Sequence, residues 1–293
     1  MNHYRFIRAE RATYPITLLC RVLHVARSAY YAWARRGVSA RAIADEALAQ
    51  QVAAVHARSR RTYGSPRIHA ELRAGGVRCA RKRVARLMRT AGLVGCHRRR
   101  RARTTVAEPT HTPAPNLVAR DFRATAPDRL WLGDSTSIAT AEGWLYLAVI
   151  IDAYSRRVVG WAMADHLRTE LALDALVMAL QCRRPLPGLV HHTDRGCQYT
   201  AAAYQAALAA RGLTVSMSRA GECLDNAMAE RFFATLKAEL VDARTGPTRA
   251  AARLAIFEWL EVWYNRQRRH SALGYRAPVA YEGQLLLLQD LAA

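Results

Sequence analysis

The segment from 131 to 164 is WLGDSTSIATAEGWLYLAVIIDAYSRRVVGWAMA, and it predicts three consecutive strands joined by two short turns. In its first part, polar and apolar residues alternate as they do on a half-buried strand. The turns fall at 140–143 and 152–155, as in an antiparallel meander. Asp134 shares one face of the first strand with Leu132, so that face carries a carboxylate.

Beyond this segment, helices alternate with short apolar strands. The predicted elements are a helix at 168–182 with Thr169 as its cap, a strand at 189–194, a helix at 200–211, a strand at 213–218 and a helix that carries Glu230. Together with the first three strands they give the order βββαβαβα. This order predicts an α/β domain whose five-stranded mixed sheet is flanked by helices.

Three acidic residues lie in local sequences that would bring their carboxylates to one place. Asp134 lies on the first strand, Asp194 ends LVHHTD (189–194), and strand ends of this kind carry the chemistry of α/β proteins. Glu230 lies in the helical stretch GECLDNAMAERFFATLKAEL (221–240), on one face with Asn226, Phe233 and Lys237. Clustered carboxylates need a compensating charge, and a hard divalent cation with oxygen ligands supplies it.

The composition predicts a polyanionic partner. The 293 residues carry a formal net charge of +21, and Lys82 and Lys237 are the only lysines among 44 basic residues. Such a balance favours nucleic acid binding. No apolar run approaches the ~18 residues of a membrane span and the N-terminus has no apolar signal segment, which predicts a cytoplasmic protein without a membrane partner. The six cysteines form no C-x-x-C pair, which argues against zinc and against a disulfide framework.

The N-terminal third predicts DNA-binding helices. Residues 15–24 and the stretch after Ser28, taken as an N-cap, outline a helix-turn-helix; a small helical bundle packed against the rest is the alternative. The side chains able to face DNA there are Arg27, Tyr30, Tyr31, Arg35 and Arg36. Further helices are predicted over 42–58, 61–76 and 77–93. The last of these has a basic face that we predict to bind DNA, with a solvated charged face as the alternative, and it comprises Arg78, Arg81, Lys82, Arg83, Arg86 and Arg89.

Composition shifts divide the chain into four parts. We predict a helical DNA-binding region at 1–96, a basic, proline-containing linker at 97–127, a catalytic core at 128–245 and a C-terminal helical extension of that core at 246–293. The linker begins with a run of arginines that would track DNA phosphates, namely Arg98, Arg99, Arg100 and Arg101.

Several local sequences resemble a known family. They are WLGDSTSI (131–138), YLAVIIDAYSRRVVGWAM (146–163), HHTDRGCQYT (191–200), SRAGECLDNAMAERFFATLKAEL (218–240) and YNRQRRHSALGYRAPVAYE (264–282). In this order they resemble the second-frame (OrfB-type) transposase of IS3-family bacterial insertion sequences, which is related to retroviral integrases. Residues Tyr63, Gly64, Arg67 and Ile68 also match a YG-x-x-RI stretch in the helix-turn-helix segment of that family.

The resemblance implies a ribonuclease-H-like integrase core with a DDE active site. In that fold the first strand and the end of the fourth are neighbours, and the helix after the last strand crosses beside them. Asp134 would then bridge two Mg²⁺ ions, for which Mn²⁺ substitutes, while Asp194 binds one ion and Glu230 the other. The activity implied is cleavage of insertion-sequence ends and joining of the 3′-hydroxyls to DNA.

The resemblance also implies partners and further contacts. DNA is the expected substrate, bound by a homo-oligomer in the bacterial cytoplasm at the nucleoid, with an upstream-frame helix-turn-helix and coiled-coil protein as partner or fusion. The DNA contacts expected outside the N-terminal helices and the linker are Lys237, Asn226, Arg266, Arg268 and Arg269. Two alternatives stay open: a ribonuclease-H-like nuclease or junction resolvase, and a non-catalytic DNA-binding remnant.

Overall fold

The computed structural model describes residues 3–96, 114–219, 222–241 and 248–290. Its N-terminal helices are α1 (His3–Glu10), α2 (Ile16–Val22), α3 (Arg27–Arg35), α4 (Ala40–Arg58), α5 (Ser65–Ala74) and α6 (Arg81–Thr90). The strands are β1 (Leu130–Thr140), β2 (Gly143–Asp152), β3 (Val158–Ala164), β4 (Val190–Thr193) and β5 (Thr214–Met217). The remaining helices are α7 (Thr169–Arg183), α8 (Cys197–Thr200), α9 (Ala202–Ala209), α10 (Ala227–Leu236), α11 (Arg249–Glu258) and α12 (Pro278–Asp290).

The five strands form one mixed sheet in the order β3-β2-β1-β4-β5. The β1-β2 and β2-β3 pairs are antiparallel, whereas β1-β4 and β4-β5 are parallel. The antiparallel meander β1–β3 therefore forms one half of the sheet's width, and the parallel strands β4 and β5 extend it beyond β1. This arrangement confirms the predicted α/β fold. The register pairs Leu132 of β1 with His192 of β4. This is the last pair of the two strands; Asp134 lies two residues further along β1, and Asp194 directly follows the end of β4.

Helices cover both faces of the sheet. On one face, Trp131 and Ile150 pack against Leu176 of α7 and Tyr204 of α9. On the other, Val149 packs into a cluster with residues of α10 and α11. The α7 helix approaches β3 so closely that a Cβ on Gly160 would lie 2.2 Å from the Ala175 carbonyl oxygen, so this strand position requires glycine.

Three local details differ from the sequence-based prediction. The α3 helix begins at Arg27 after Ala26 and has no side-chain cap, so Ser28 is not its N-cap. The α7 helix likewise follows Arg168, and Thr169 is its first helical residue. The helix predicted at 200–211 is α9, which begins at Ala202 because Ala201 is extended, with φ −58° and ψ 137°, and separates it from the short α8. Local apolar periodicity cannot detect a break of a single residue.

The N-terminal helices form two separate packing units. The first three share a small core that contains Ile7, Leu19, Cys20 and Tyr30. Helices α4, α5 and α6 instead join the core cluster that also contains α10, α11 and the segment after it. The rings of Tyr63 and Trp263 meet there with centroids 5.5 Å apart. The helical region predicted at 1–96 is thus all-α, and its second half is packed onto the C-terminal extension.

The described part of the predicted linker lies on the sheet domain. Val118 is buried in a cluster with Leu130, Leu132 and Met228. The amide of Leu117 donates to the Ser216 hydroxyl of β5 over 2.9 Å. Residues 114–127 therefore contact the core directly. The run Arg98, Arg99, Arg100 and Arg101 falls outside the described residues.

The C-terminal extension is fastened to the sheet by polar contacts. Asn265 donates to the Val158 carbonyl and accepts from its amide, over 3.0 and 2.9 Å, at the start of β3. Glu282 of α12 forms ion pairs with Arg157 and Arg183, at 2.8 and 2.9 Å. Among the residues that the structure describes, no helix is both long and apolar enough to span a membrane.

Candidate active site

Asp134 lies in the middle of β1, on the sheet face that α10 covers. Its side chain is half-buried, and one carboxylate oxygen accepts a hydrogen bond from the Ser135 amide at 2.7 Å. The preceding Gly133 lies against β4, where a Cβ would approach His191 Cε1 to 3.0 Å. A bulkier residue there would push β1 away from β4. Gly133 therefore keeps Asp134 close to the end of β4.

Asp194 follows the last residue of β4. Its Oδ1 accepts the Gly196 amide at 2.9 Å, which folds the chain back into a tight turn before α8. A Cβ on Gly196 would come within 3.0 Å of the same oxygen, so glycine leaves that side of the carboxylate open. The strand end fixes the backbone, and the turn fixes the carboxylate.

Glu230 lies in the first turn of α10 and is exposed. The helix is held against β1 by Asn226, whose side-chain amide donates to the Gly133 carbonyl at 3.2 Å. Of the face predicted to comprise Asn226, Glu230, Phe233 and Lys237, Asn226 and Phe233 are buried, whereas Lys237 is half-buried. This face of α10 is therefore partly packed against the protein and partly open to solvent.

The electrostatic surroundings of Asp134 include both of the other acids. Burial raises the pKa of Asp134 well above its ordinary range, and the charges of Asp194 and Glu230 raise it further, while Lys237 opposes them. Burial also raises the pKa of Asp194, against the hydrogen bond from the Gly196 amide. The charges of Asp194, Glu230 and Lys237 thus all act on Asp134.

Oxygen donors of this kind suit a hard divalent cation. In the described parts of the chain, no three His, Cys, Asp or Glu side chains are already drawn together tightly enough to hold a metal ion. The carboxylates are therefore neighbours that a cation would have to draw closer. A further oxygen donor is at hand, because the Oδ1 atom of Asn226 is buried without a hydrogen-bond partner among the described residues.

The two histidines before Asp194 point into the protein. His191 is fully buried, its Nε2 lies 2.8 Å from the Tyr204 hydroxyl, and burial lowers its pKa to about 3. His192 contacts the Ser216 hydroxyl and the Asp225 carbonyl, at 2.8 and 2.9 Å. Both side chains hold β4 to its neighbours, which agrees with their interpretation as strand residues.

Asp225 organises the loop before α10. It is completely buried and accepts hydrogen bonds from Arg219, from Arg120 Nε at 2.9 Å and from Asn116 Nδ2 at 2.9 Å. The hydrogen bond from Arg219 contributes most to a strongly lowered pKa. Sequence patterns did not indicate these roles: Asp225 lies 105 residues from Arg120, and it lies six residues from Arg219 across a stretch of sequence that has no periodic pattern. The cluster fixes the start of the helix that carries Glu230.

Tyr199 is a second feature that the sequence did not reveal. Its side chain is 3% exposed and packs in the cluster that also contains Trp131 and Tyr204. Burial raises its pKa well above the ordinary value, and the charges of Asp134 and Asp194 add to the rise. The ring therefore lies beside the acidic site, on α8 directly after Asp194.

The predicted DNA-binding face of α6 is partly neutralised. Arg81 and Lys82 are exposed, whereas Arg83 and Arg86 each form an ion pair with Asp45 of α4 at 2.6 Å. Because Asp45 binds both guanidinium groups, Arg81 and Lys82 present the more available charge.

The three arginines of the C-terminal segment have different surroundings. Arg268 is buried and paired with Glu239 at 2.7 Å, so its guanidinium does not face solvent, and the geometry argues against it as a DNA contact. Arg269 forms an ion pair with Glu71 and donates to the Tyr275 carbonyl at 2.8 Å. Arg266 is exposed.

Three models of known protein families match parts of this chain. An integrase core domain model matches residues 124–223, and a second model with that description matches 211–278. An HTH-like domain model matches residues 43–101, which include α4, α5 and α6. Among solved structures, the chain resembles the simian T-cell lymphotropic virus intasome in complex with the PP2A regulatory subunit B56 gamma, with a TM-score of 0.46, 16% identity and coverage of 79% of this chain and 74% of that one. It also resembles the HTLV-2 integrase catalytic core domain in complex with magnesium, with a TM-score of 0.43, 17% identity and coverage of 55% and 99%.

Two relatives resemble the chain over nearly its whole length. The insertion element IS600 uncharacterized 31 kDa protein of Shigella sonnei is 43% identical over 264 residues, which are 90% of this chain and 97% of that protein. Transposase InsF for insertion sequence IS3A of Escherichia coli (strain K12) is 41% identical over 285 residues, or 97% and 99%. With the integrase core domain, these relatives indicate a DDE-type polynucleotidyl transferase that acts in DNA transposition. The chain belongs to the IS3 family of insertion-sequence transposases.

Proposed function

We propose that the protein cleaves the ends of its insertion sequence and joins the freed 3′-hydroxyls to DNA by two-metal-ion transesterification at Asp134, Asp194 and Glu230. The observation that carries this proposal is the convergence of these acids from β1, the end of β4 and α10. The mutual charge effects at Asp134 indicate that the three side chains are close. Membership in a transposase family supplies the substrate class.

The three acids would have distinct tasks. Asp134 lies between its neighbours and would contact both ions, Asp194 would contact one and Glu230 the other. Bound Mg²⁺ would activate a water or a DNA 3′-hydroxyl and steady the leaving oxygen, and Mn²⁺ would substitute for it. Asp134 and Asp194 are fixed by the sheet and the Gly196 turn, whereas exposed Glu230 has room to move towards them. That difference favours a site that closes as it binds the cation.

Lys237 and Asn226 are proposed to position the DNA end. The ammonium of Lys237 is near enough to Asp134 to lower the pKa of that carboxyl, so it can contact a phosphate at the reacting position. Asn226 is buried and holds α10 on Gly133 through its amide, so its proposed role is to position the helix that carries Glu230 and Lys237. Lys237→Ala is expected to reduce end-DNA crosslinking and strand transfer more than thermal stability, and Lys237→Arg to recover part of the loss.

The triad is tested with Asp134→Asn, Asp194→Asn and Glu230→Gln in the full-length protein. Each variant is expected to lose cleavage and joining of an oligonucleotide duplex that carries the element's end, while its DNA affinity stays nearly unchanged. Asp165→Asn, which changes an exposed acid of the same domain, is the matched control and should keep full activity. Mg²⁺-dependent joining by any of the three variants would remove that residue from the triad.

The wild-type products separate the candidate functions. Joined DNA identifies a transposase, cleaved DNA without joining identifies a nuclease or resolvase, and binding alone identifies a non-catalytic protein. The same experiment, repeated with the upstream-frame protein added, tests the proposed helix-turn-helix partner. Sedimentation of the DNA complex tests the proposed homo-oligomer.

DNA recognition is proposed to involve the exposed end of α6. Arg81→Ala combined with Lys82→Ala should weaken binding and reduce the slope of log K against log salt by about one for each phosphate that the variant no longer neutralises. Arg83→Ala should instead act mainly on stability, because its partner Asp45 is internal to the helical unit. An unchanged slope in the double variant would contradict this assignment.

A further inference from the structure

A cavity of about 320 Å³ lies between the HTH-like region and the C-terminal segment. Its wall on one side comes from α4, α5 and the loop between them, and on the other side from residues 263–280. The residues that carry charge in the lining are Arg58, Glu71, Arg266, Arg269 and Arg276. Four arginines against one glutamate leave the cavity with a net formal charge of +3.

Two of the four arginines are engaged with the glutamate. Arg269 forms an ion pair with Glu71, and Arg58 approaches the same carboxylate to 3.6 Å. Arg266 and Arg276 are exposed, and neither has an acidic partner among the residues that the structure describes. Their charge is therefore available to a ligand.

The wall behind these arginines is rigid. The Tyr63 hydroxyl accepts the Arg269 amide at 2.8 Å, and Arg67 Nε donates to the Arg269 carbonyl at 3.0 Å. Tyr63 is 2% exposed and Trp263 5%, so both rings belong to the core and neither can stack on a base. A ligand would meet a fixed backbone wall together with two exposed arginines, of which Arg276 lies over the Tyr281 ring with its Cζ 5.8 Å from the centroid.

We propose that this cavity binds a backbone phosphate of DNA and so anchors the HTH-like region and the C-terminal segment to the same duplex. The inference rests on the proposed function, since it takes DNA as the substrate. Guanidinium groups suit phosphate because they donate two parallel hydrogen bonds to its oxygens. The site contains no carboxylate triad and takes no part in the chemistry; it holds DNA.

This role explains a part of YNRQRRHSALGYRAP (264–278) that catalysis does not use. Asn265 and Arg268 of that stretch serve the fold, through β3 and Glu239. The side chains of Arg266 and Arg276 form no such ion pair or hydrogen bond within the described residues, and both line the cavity. Residues 264–278 therefore supply both the contacts that hold the C-terminal segment in place and the arginines that bind the phosphate.

The test uses the full-length protein with Arg266→Ala and Arg276→Ala combined, in EDTA, with a duplex of arbitrary sequence. The slope of log K against log salt should fall by about one to two units. Arg184→Ala combined with Arg211→Ala is the charge-matched control. Both arginines are exposed, and they precede β4 and β5, so they lie towards the N-terminal ends of these strands, whereas Asp194 follows the C-terminal end of β4. This control should keep the wild-type slope.

A second measurement separates a DNA phosphate from a free anion. Inorganic phosphate, added at constant ionic strength, should raise the melting temperature of the wild-type protein and of the control but not of the cavity variant. An equal fall of the slope in both double variants, or an unchanged slope in the cavity variant, overturns the proposal. Phosphate stabilisation with an unchanged slope would assign the cavity to a free anion instead. Because EDTA keeps metal ions out of the binding assay, failure of the acidic triad would leave all these results unaffected.

Discussion

The buried ion pair between Arg268 and Glu239 gives a prediction in which stability and DNA binding separate. Three nitrogen–oxygen distances of 2.7, 3.0 and 3.0 Å join the two groups, and their side chains are 6% and 5% exposed. Trp263 Nε1 also donates to Glu239, at 3.3 Å. Replacing Arg268 by methionine keeps the stem but leaves the carboxylate of Glu239 buried without its cation.

The expected loss of stability is large. Removing one partner of a buried pair costs about 3–5 kcal/mol, because the remaining charge is uncompensated. At ~2–4 °C for each kcal/mol, the melting temperature of Arg268→Met should fall by roughly 10 °C. Arg268→Met combined with Glu239→Leu should recover most of this loss, since well-packed apolar groups replace buried pairs with little penalty.

Urea unfolding followed by tryptophan fluorescence measures the stability, and salt-dependent duplex binding measures DNA contacts. Arg268→Met should unfold at lower urea, yet any molecules still folded should keep the wild-type salt slope. Arg266→Ala provides the reverse pattern, with a reduced slope and unchanged stability. Wild-type stability together with a reduced slope in Arg268→Met would refute the reasoning and restore Arg268 as a DNA contact.

Three further predictions concern the packing around the sheet. Gly160→Ala should destabilise the protein by about 1–3 kcal/mol or prevent folding, because its Cβ would collide with the Ala175 carbonyl; wild-type urea unfolding would contradict this. Burial lowers the pKa of His191 in the folded protein to about 3, from 6.5 in the unfolded chain. The stability that the neutral, buried imidazole contributes is therefore fully present above pH 6.5 and is lost as the pH falls towards 3. His191→Leu with Tyr204→Phe should flatten the stability profile over that window by on the order of 4 kcal/mol, and an equally steep profile would contradict it. Tyr204→Phe alone should lower the free energy of unfolding by about 1 kcal/mol, because it removes the hydrogen bond between the Tyr204 hydroxyl and His191; wild-type stability of this variant in calorimetry would contradict the prediction.

Much of the fold was predictable because its signals are local. The alternation over 131–140 predicted β1, and the apolar run over 144–151 predicted β2, because each signal is contained within a few neighbouring residues. The order of elements then admitted few sheet topologies. Asp134, Asp194 and Glu230 were predicted from their local sequences and a family resemblance; the charges of the other two act on Asp134, and the assignment of the three as catalytic stays a prediction.

Other features depend on partners distant in sequence. No pattern near Arg268 distinguishes it from Arg266, yet one is buried against Glu239 and the other is exposed. The same holds for Arg83, which forms an ion pair with Asp45 on another helix. A basic run predicts charge, whereas the site of each guanidinium depends on the acid that tertiary packing brings beside it.

The amino-acid sequence by itself determined the strand and helix order, the basic character and the three acids, because each is a property of neighbouring residues or of the whole composition. Only the tertiary structure decided which arginines serve the fold, that residues 114–127 lie on the core, and that the HTH-like region and the C-terminal segment enclose a cavity. These features arise when segments up to about two hundred residues apart bury surface against each other. Burial against a distant partner leaves no periodic trace in either segment alone.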